Sequence, residues 1–195
     1  AFRLRVEGLE NLPPRGPYII CSNHQSYLDP VILCAVMPRQ LFSQLFAVGT
    51  SDIFGSGIMR RVARWLRVIV VDPDANLISA MRAGAAGLRS GRILILYPEG
   101  ERSIDGAPKK FKKGAAILAM NMNVPLVPVA IEGFHKTWPR GKSFQKFVPL
   151  QIAIGKPIYP RQENAASEET YEALTAELRS QVITMWEKLG NERQN

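Results

Sequence analysis

Within the nine residues Ser22-Asn23-His24-Gln25-Ser26-Tyr27-Leu28-Asp29-Pro30 the chain carries an imidazole, a carboxylate and hydroxyls. A carboxylate bonded to one ring nitrogen of a histidine orients the ring and makes the other nitrogen a base. His24 and Asp29 are five positions apart, a spacing that on one straight helix rotates them roughly 140° from each other. A strand, turn and helix solve the problem that one helix cannot. With Tyr18-Ile19-Ile20-Cys21 as a buried strand, Asp29 as N-cap and Pro30 as first helical residue, the turn can fold the carboxylate back onto the imidazole.

A second polar cluster, Pro98-Glu99-Gly100-Glu101-Arg102-Ser103, leaves the apolar run Ile93-Leu94-Ile95-Leu96-Tyr97 and is followed by Lys109, Lys110, Lys112 and Lys113. A base, its carboxylate and anion-binding cations at converging strand ends suit an alcohol that also carries a phosphate. Ser26 lies too close to His24 in a tight turn to act as its nucleophile and is read as bonding backbone. Cys21 and Cys34 sit in apolar runs and read as buried, reduced thiols, which suggests a reducing compartment. His135 reads as a surface or loop residue.

The elements that must position these groups follow from hydrophobic period. Phe2 to Val6 alternates apolar and basic residues, as a half-exposed edge strand does. Pro30 to Met37 reads as a short helix and Leu41 to Val48 as a strand. Ser51 or Asp52 can cap the next helix, on which Arg60, Arg64 and Arg67 share a face. Val68 to Val71 is a strand, and Asp74 caps a helix that Gly91 ends. A helix over Ala115 to Met122 precedes Val124 to Ile131, a strand that Pro125 and Pro128 restrict to an edge or a bulge. Leu150 to Ile154 is a further strand, and Thr170 to Leu189 a helix with an apolar stripe at 171, 174, 178, 182, 185 and 189. Alternating strands and helices predict an α/β sandwich around a largely parallel sheet, with residues 1–195 as one domain.

The charge is +8, from 25 Lys and Arg against 17 Asp and Glu. Such a field draws an anionic partner. The arginines at 60–67 and the lysines at 109–113 interleave with Ile58, Trp65, Leu66 and Phe111, so they suit either a solvated face or an anionic bilayer. No apolar stretch approaches the roughly 18 residues of a transmembrane helix, and no charged-then-apolar leader pattern is read in its first residues. The first residue, Ala1, suits a part of a longer polypeptide. No glycine-rich nucleotide fingerprint occurs, and no metal-ligand spacing.

Asn23-His24-Gln25-Ser26-Tyr27-Leu28-Asp29 resembles the first block of the glycerolipid acyltransferases, typified by 1-acylglycerol-3-phosphate acyltransferase. Tyr97-Pro98-Glu99-Gly100-Glu101-Arg102-Ser103 resembles their third block, usually Phe-Pro-Glu-Gly-Thr-Arg-Ser, and Val124 to Ala130 their fourth. Val68-Ile69-Val70-Val71-Asp72 stands for the second, with Pro73 where an arginine is common. The resemblance implies the fold of that family and transfer of a fatty acyl group from coenzyme A or acyl carrier protein to a lysophospholipid hydroxyl, lysophosphatidate first. It implies no cofactor and no metal. Carried over by position, His24 is the general base and Asp29 its orienting carboxylate, Glu99 and Gly100 place the glycerol, and Arg102 holds the phosphate with Lys113 as a second contact. Glu101 and Pro73 depart from the pattern at the acceptor end, and an arginine from 60–67 could supply the missing charge. Either departure suits a lysophospholipid with a larger head group.

A peripheral place on the cytoplasmic face of a membrane is expected, with the basic clusters meeting an anionic bilayer, and the start at Ala1 suits fusion to an acyl-activating domain as a further partner. Three other readings compete. A non-catalytic lipid-binding module could keep the fold. A thioester hydrolase could use the same base on water. Nucleic-acid binding rests on charge alone, without a recognised motif or aromatic ladder, and no nucleic-acid partner is expected.

Overall fold

The apolar runs become the strands of one seven-stranded sheet in the computed structural model, which describes residues 3–50, 57–71, 77–161 and 166–192. The strands are β1 (Leu4–Glu7), β2 (Tyr18–Ser22), β3 (Leu45–Thr50), β4 (Val68–Val71), β5 (Ile93–Leu96), β6 (Leu126–Glu132) and β7 (Leu150–Ile154). Their order is β1-β7-β6-β2-β5-β3-β4. All pairings are parallel except β6 with β7. The fold class expected from alternation is the one observed.

The helices are α1 (Asp29–Val36), α2 (Arg39–Phe42), α3 (Gly57–Trp65), α4 (Leu77–Arg89), α5 (Gly114–Met122), α6 (Phe134–Thr137) and α7 (Glu168–Glu192). They lie on both faces of the sheet. On β2, Tyr18 and Ile20 pack into a cluster with Leu33, Cys34 and Leu41 of α1 and α2, while Ile19 and Cys21 enter another with Leu88, Ala115, Leu118 and Leu178 of α4, α5 and α7. Successive strand residues point to opposite faces, so a run apolar at every position is what a doubly covered strand needs.

Several boundaries differ from expectation, each for a local reason. Leu41 belongs to α2, because the Pro38 carbonyl accepts the Leu41 and Phe42 amides and winds the chain before β3 can start. α7 begins at Glu168 because Ser167 and Thr170 cap it reciprocally: the Thr170 amide donates to Ser167 Oγ at 3.3 Å and the Ser167 amide to Thr170 Oγ1 at 2.9 Å. β6 is no edge strand, since it lies between β7 and β2. Its pairing with the chain after β7 is bulged, as Pro128 allows. The partner of Val129 is Ile154, yet Leu126 bridges Ile158, which leaves one extra residue on the β7 side. Pro128 faces that bulge, where its carbonyl accepts the Gly155 amide at 2.8 Å. The caps expected at Ser51, Asp52 and Asp74, and block residues Asp72 and Pro73, lie outside the described residues.

Because β2, β5 and β6 are parallel neighbours, their C-terminal ends emerge together on one side of the sheet. Asn23 ties two of them. Its side-chain nitrogen donates to the Ile131 carbonyl at 3.1 Å and its oxygen accepts the Ile131 amide at 2.8 Å. A side-chain amide thus continues the ladder for one residue past β2. Asn23→Leu would leave both Ile131 groups buried and unpaired, and urea unfolding should show a loss of about 2–4 kcal/mol.

Candidate active site

The loop after β2 wraps around one oxygen of Asp29. Asp29 Oδ2 accepts the Gln25 amide at 2.6 Å and the Ser26 amide at 2.8 Å, and lies 2.7 Å from His24 Nδ1. Helical conformation starts at Leu28, so Asp29 is the first residue of α1 and not its N-cap. Its carboxylate points back to cap the turn behind it, which satisfies two amides that a buried loop could not leave open. Burial pushes the Asp29 carboxyl above its ordinary range, and the imidazole and the two amides pull it the other way. Ser26 bonds backbone as expected: its hydroxyl accepts the Leu28 amide at 3.2 Å.

With Nδ1 engaged, His24 has Nε2 left for another group, and its side chain is 19% exposed. The Tyr97 ring stacks against it at 4.0 Å between centroids and 18° between planes. Tyr97 is a supporting residue that spacing did not single out; the signal was its place at the end of β5, next to β2. Burial drives its hydroxyl well above the usual phenol range. The histidine backbone is clamped on both sides. Its amide donates to Glu99 Oε1 at 3.0 Å and its carbonyl accepts the Ser103 amide at 2.8 Å. Glu99 is therefore turned inward on the histidine loop, where burial raises its pKa to about 7 against the His24 and Lys109 amides.

Gly100 has φ 79, and a Cβ there would come within 2.7 Å of Lys112 Nζ. Lys112 thus covers Gly100, whereas Lys113 was the lysine expected as a second phosphate contact. Lys113 is committed elsewhere, because its ammonium pairs with Glu168 and Glu172 of α7. Arg102 keeps its guanidinium over the Tyr27 ring at 3.4 Å. Its Nη1 is buried without a partner among the described residues. Glu101 does not leave a bare negative charge beside it. Lys109 holds one Glu101 oxygen at 2.5 Å and Arg140 the other at 2.6 Å, which lowers the carboxyl to about 2. Arg140 also donates to the Arg102 carbonyl at 3.1 Å.

The remaining expectations divide. Cys21 and Cys34 are buried, and burial pushes the Cys34 thiol up to about 12. His135 is half-buried in α6 rather than loose on the surface: its Cβ packs against Gly106 and its amide donates to Gln25 Oε1 at 3.2 Å. Arg67 is structural, since it donates to the Phe42 carbonyl at 2.6 Å and lies over the Phe42 ring at 5.3 Å. The basic clusters lose two of their four apolar companions. Leu66 and Phe111 are buried in the core, Trp65 is 49% exposed, and the Ile58 side chain lies outside the described residues.

The arrangement can take a proton from a hydroxyl at His24 Nε2, steady the cation so formed at Asp29, and meet an anion at Arg102. Among the described residues no group of His, Cys, Asp and Glu could hold a metal ion.

The sequence model of a family described as acyltransferase matches residues 3–132. The 1-acyl-sn-glycerol-3-phosphate acyltransferase alpha of Homo sapiens is 26% identical over 195 residues, 98% of this chain and 66% of its own length. The chloroplastic 1-acyl-sn-glycerol-3-phosphate acyltransferase of Arabidopsis thaliana is 31% identical over 81% of this chain and 44% of its own length. The chain thus spans between about half and two thirds of these relatives. The crystal structure of the 1-acyl-sn-glycerophosphate acyltransferase PlsC from Thermotoga maritima superimposes with a TM-score of 0.79 at 26% identity, covering 97% of this chain and 73% of that one.

Glu99 makes stability depend on pH. Between the ordinary 4.5 and about 7 the folded protein holds a proton that the unfolded chain has released. Its contribution is therefore complete below that window and is lost as pH rises through it. Glu99→Gln keeps an acceptor for the His24 amide without the charge. Chemical denaturation near pH 5 and near pH 8 should show the variant gaining on the parent by about 2 kcal/mol at the higher pH.

Proposed function

The chain belongs to the acyltransferase family, and on that premise we propose that it transfers a fatty acyl group from a thioester to the free hydroxyl of lysophosphatidate. The observation that carries this reading is the 2.7 Å contact of His24 Nδ1 with Asp29 Oδ2, on a loop clamped by the residues around Arg102. His24 Nε2 takes the hydroxyl proton as the oxygen attacks the thioester carbonyl. The tetrahedral intermediate collapses by breaking the C–S bond, and the imidazolium returns the proton to the departing thiolate. Asp29 keeps the ring oriented and stabilises its charged form. The acceptor supplies the nucleophile, so no acyl-enzyme forms.

Arg102 holds the acceptor's phosphate, with the free Nη1 on a guanidinium already braced against Tyr27. Lys112 supplies the second cation in place of Lys113, from its position over Gly100. Glu99 acts as a positioning residue through the His24 amide. The donor thiol is coenzyme A or acyl carrier protein, and the reaction takes place at a cytoplasmic membrane surface. Among the described residues no helix is long and apolar enough to cross a membrane.

A second acceptor is favoured by one observation. Glu101 engages Lys109 and Arg140, so part of the positive charge beside Arg102 is already answered. A lysophospholipid with a diester phosphate, which carries less negative charge than lysophosphatidate, suits such a site. An acceptor panel read by mass spectrometry separates the two.

His24→Ala should lower acyl transfer by about 10²–10⁴-fold while circular dichroism and the unfolding midpoint stay close to the parent. Undiminished turnover in the folded variant would overturn the mechanism. Release of free thiol at the same rate with and without acceptor would instead identify a hydrolase.

A further inference from the structure

The 30 residues between Glu132 and Glu163 contain no Asp or Glu, yet they include Lys136, Arg140, Lys142 and Lys146. Within this stretch Lys136 and residues 140–147 are exposed. Aromatic rings are interleaved with these cations. Phe144 packs against Phe147 at 4.8 Å and against Trp138 at 6.4 Å, and Trp138 meets Tyr27 at 5.5 Å. Tyr27 in turn lies beneath the Arg102 guanidinium. A file of rings therefore runs from the rim of the candidate site out into solvent, where Phe144 is 42% and Phe147 68% exposed.

The segment is built rather than trailing. The Gln145 amide donates to the Thr137 carbonyl at 2.9 Å, the Trp138 indole to the Lys142 carbonyl at 3.0 Å, and Arg140 to Glu101 at 2.6 Å. Holding two phenylalanines in water costs free energy that a core would recover, and nothing in this acid-free stretch offsets the lysines around them. Rings that enter the headgroup region, flanked by lysines that meet lipid phosphates, fit an anionic bilayer on both counts.

We propose that the 136–147 loop docks the protein on an anionic lipid bilayer, with Phe144 and Phe147 at headgroup depth and Lys142 and Lys146 on lipid phosphates. This rests on a lipid acceptor, as proposed above, and it sets Arg102 at the inner end of the ring file, where an acceptor's phosphate would arrive from the membrane.

The test is co-sedimentation with vesicles of equimolar phosphatidylglycerol and phosphatidylcholine, against vesicles of phosphatidylcholine alone. The parent should partition onto the anionic vesicles, and Phe144→Ser with Phe147→Ser should weaken that by about tenfold or more. Lys142→Glu with Lys146→Glu should abolish the preference for anionic lipid. Both double variants should turn over a dispersed short-chain lysophosphatidate at the parent's rate, which separates docking from chemistry. Unchanged partition of the variants would overturn the proposal, as would equal retention of the parent by single-stranded RNA at the same ionic strength. Loop-dependent vesicle binding by a parent that acylates no acceptor would uphold the docking surface and remove the proposed reaction.

Discussion

A single carboxylate oxygen, Asp29 Oδ2, is the point on which the site depends. Three donors converge on it in a buried place: the amides of Gln25 and Ser26 and the imidazole of His24. A turn that leaves a buried strand must satisfy its amides or lose stability for each one left open. Here the acid that satisfies them also orients the base. Structural need and chemical use coincide, and a replacement that removes the charge disturbs both. The Asp29 carboxyl is raised by burial and lowered by its donors, so its ionised form depends on the completeness of that set.

The rest of the fold completes the set from outside. The parallel order places β5 and β6 on either side of β2, so two further loops open beside the histidine. From β5 come Tyr97 under the ring, Glu99 on the His24 amide and Ser103 on its carbonyl. From β6 comes the Ile131 backbone that Asn23 binds. His24 is thus held by its ring on two sides and by its backbone on two more, with one nitrogen left over. The approach of three strand ends follows from sheet topology, and the residues at those ends are what make the place a site.

How much of this is legible in the chain depends on the range of the forces involved. β2 and β5 can be read because burial on both faces demands an apolar residue at nearly every position, and the His24 and Asp29 turn because it is local. Pro125 and Pro128 argue for an edge or a bulge, and β6 is interior, since what Pro128 requires is a missing partner on one side and the bulge that begins at Gly155 supplies it. Leu66 and Phe111, beside cations, suit an exposed face by local pattern and are buried in the fold. Local pattern shows that one face is apolar and not what it meets. The tie between Glu101 and Arg140 spans 39 positions and two loops, and no period or motif signals it.

That tie changes the meaning of the departure at position 101. Taken within its own block, a glutamate beside Arg102 is a repulsive charge for any phosphate. In the folded chain it is the anchor for Lys109 and Arg140, and its lowered pKa states that the two cations hold it ionised. The group is exposed, so the pairing counts for geometry more than for stability. It fixes Arg140 against the Arg102 carbonyl and with it the start of the loop that carries Phe144 and Phe147. A threonine in the same place could not draw in either cation. Glu101 therefore couples the block that holds Arg102 to a loop outside every block, and any change there acts on the charge at the acceptor end and on the setting of the aromatic loop together.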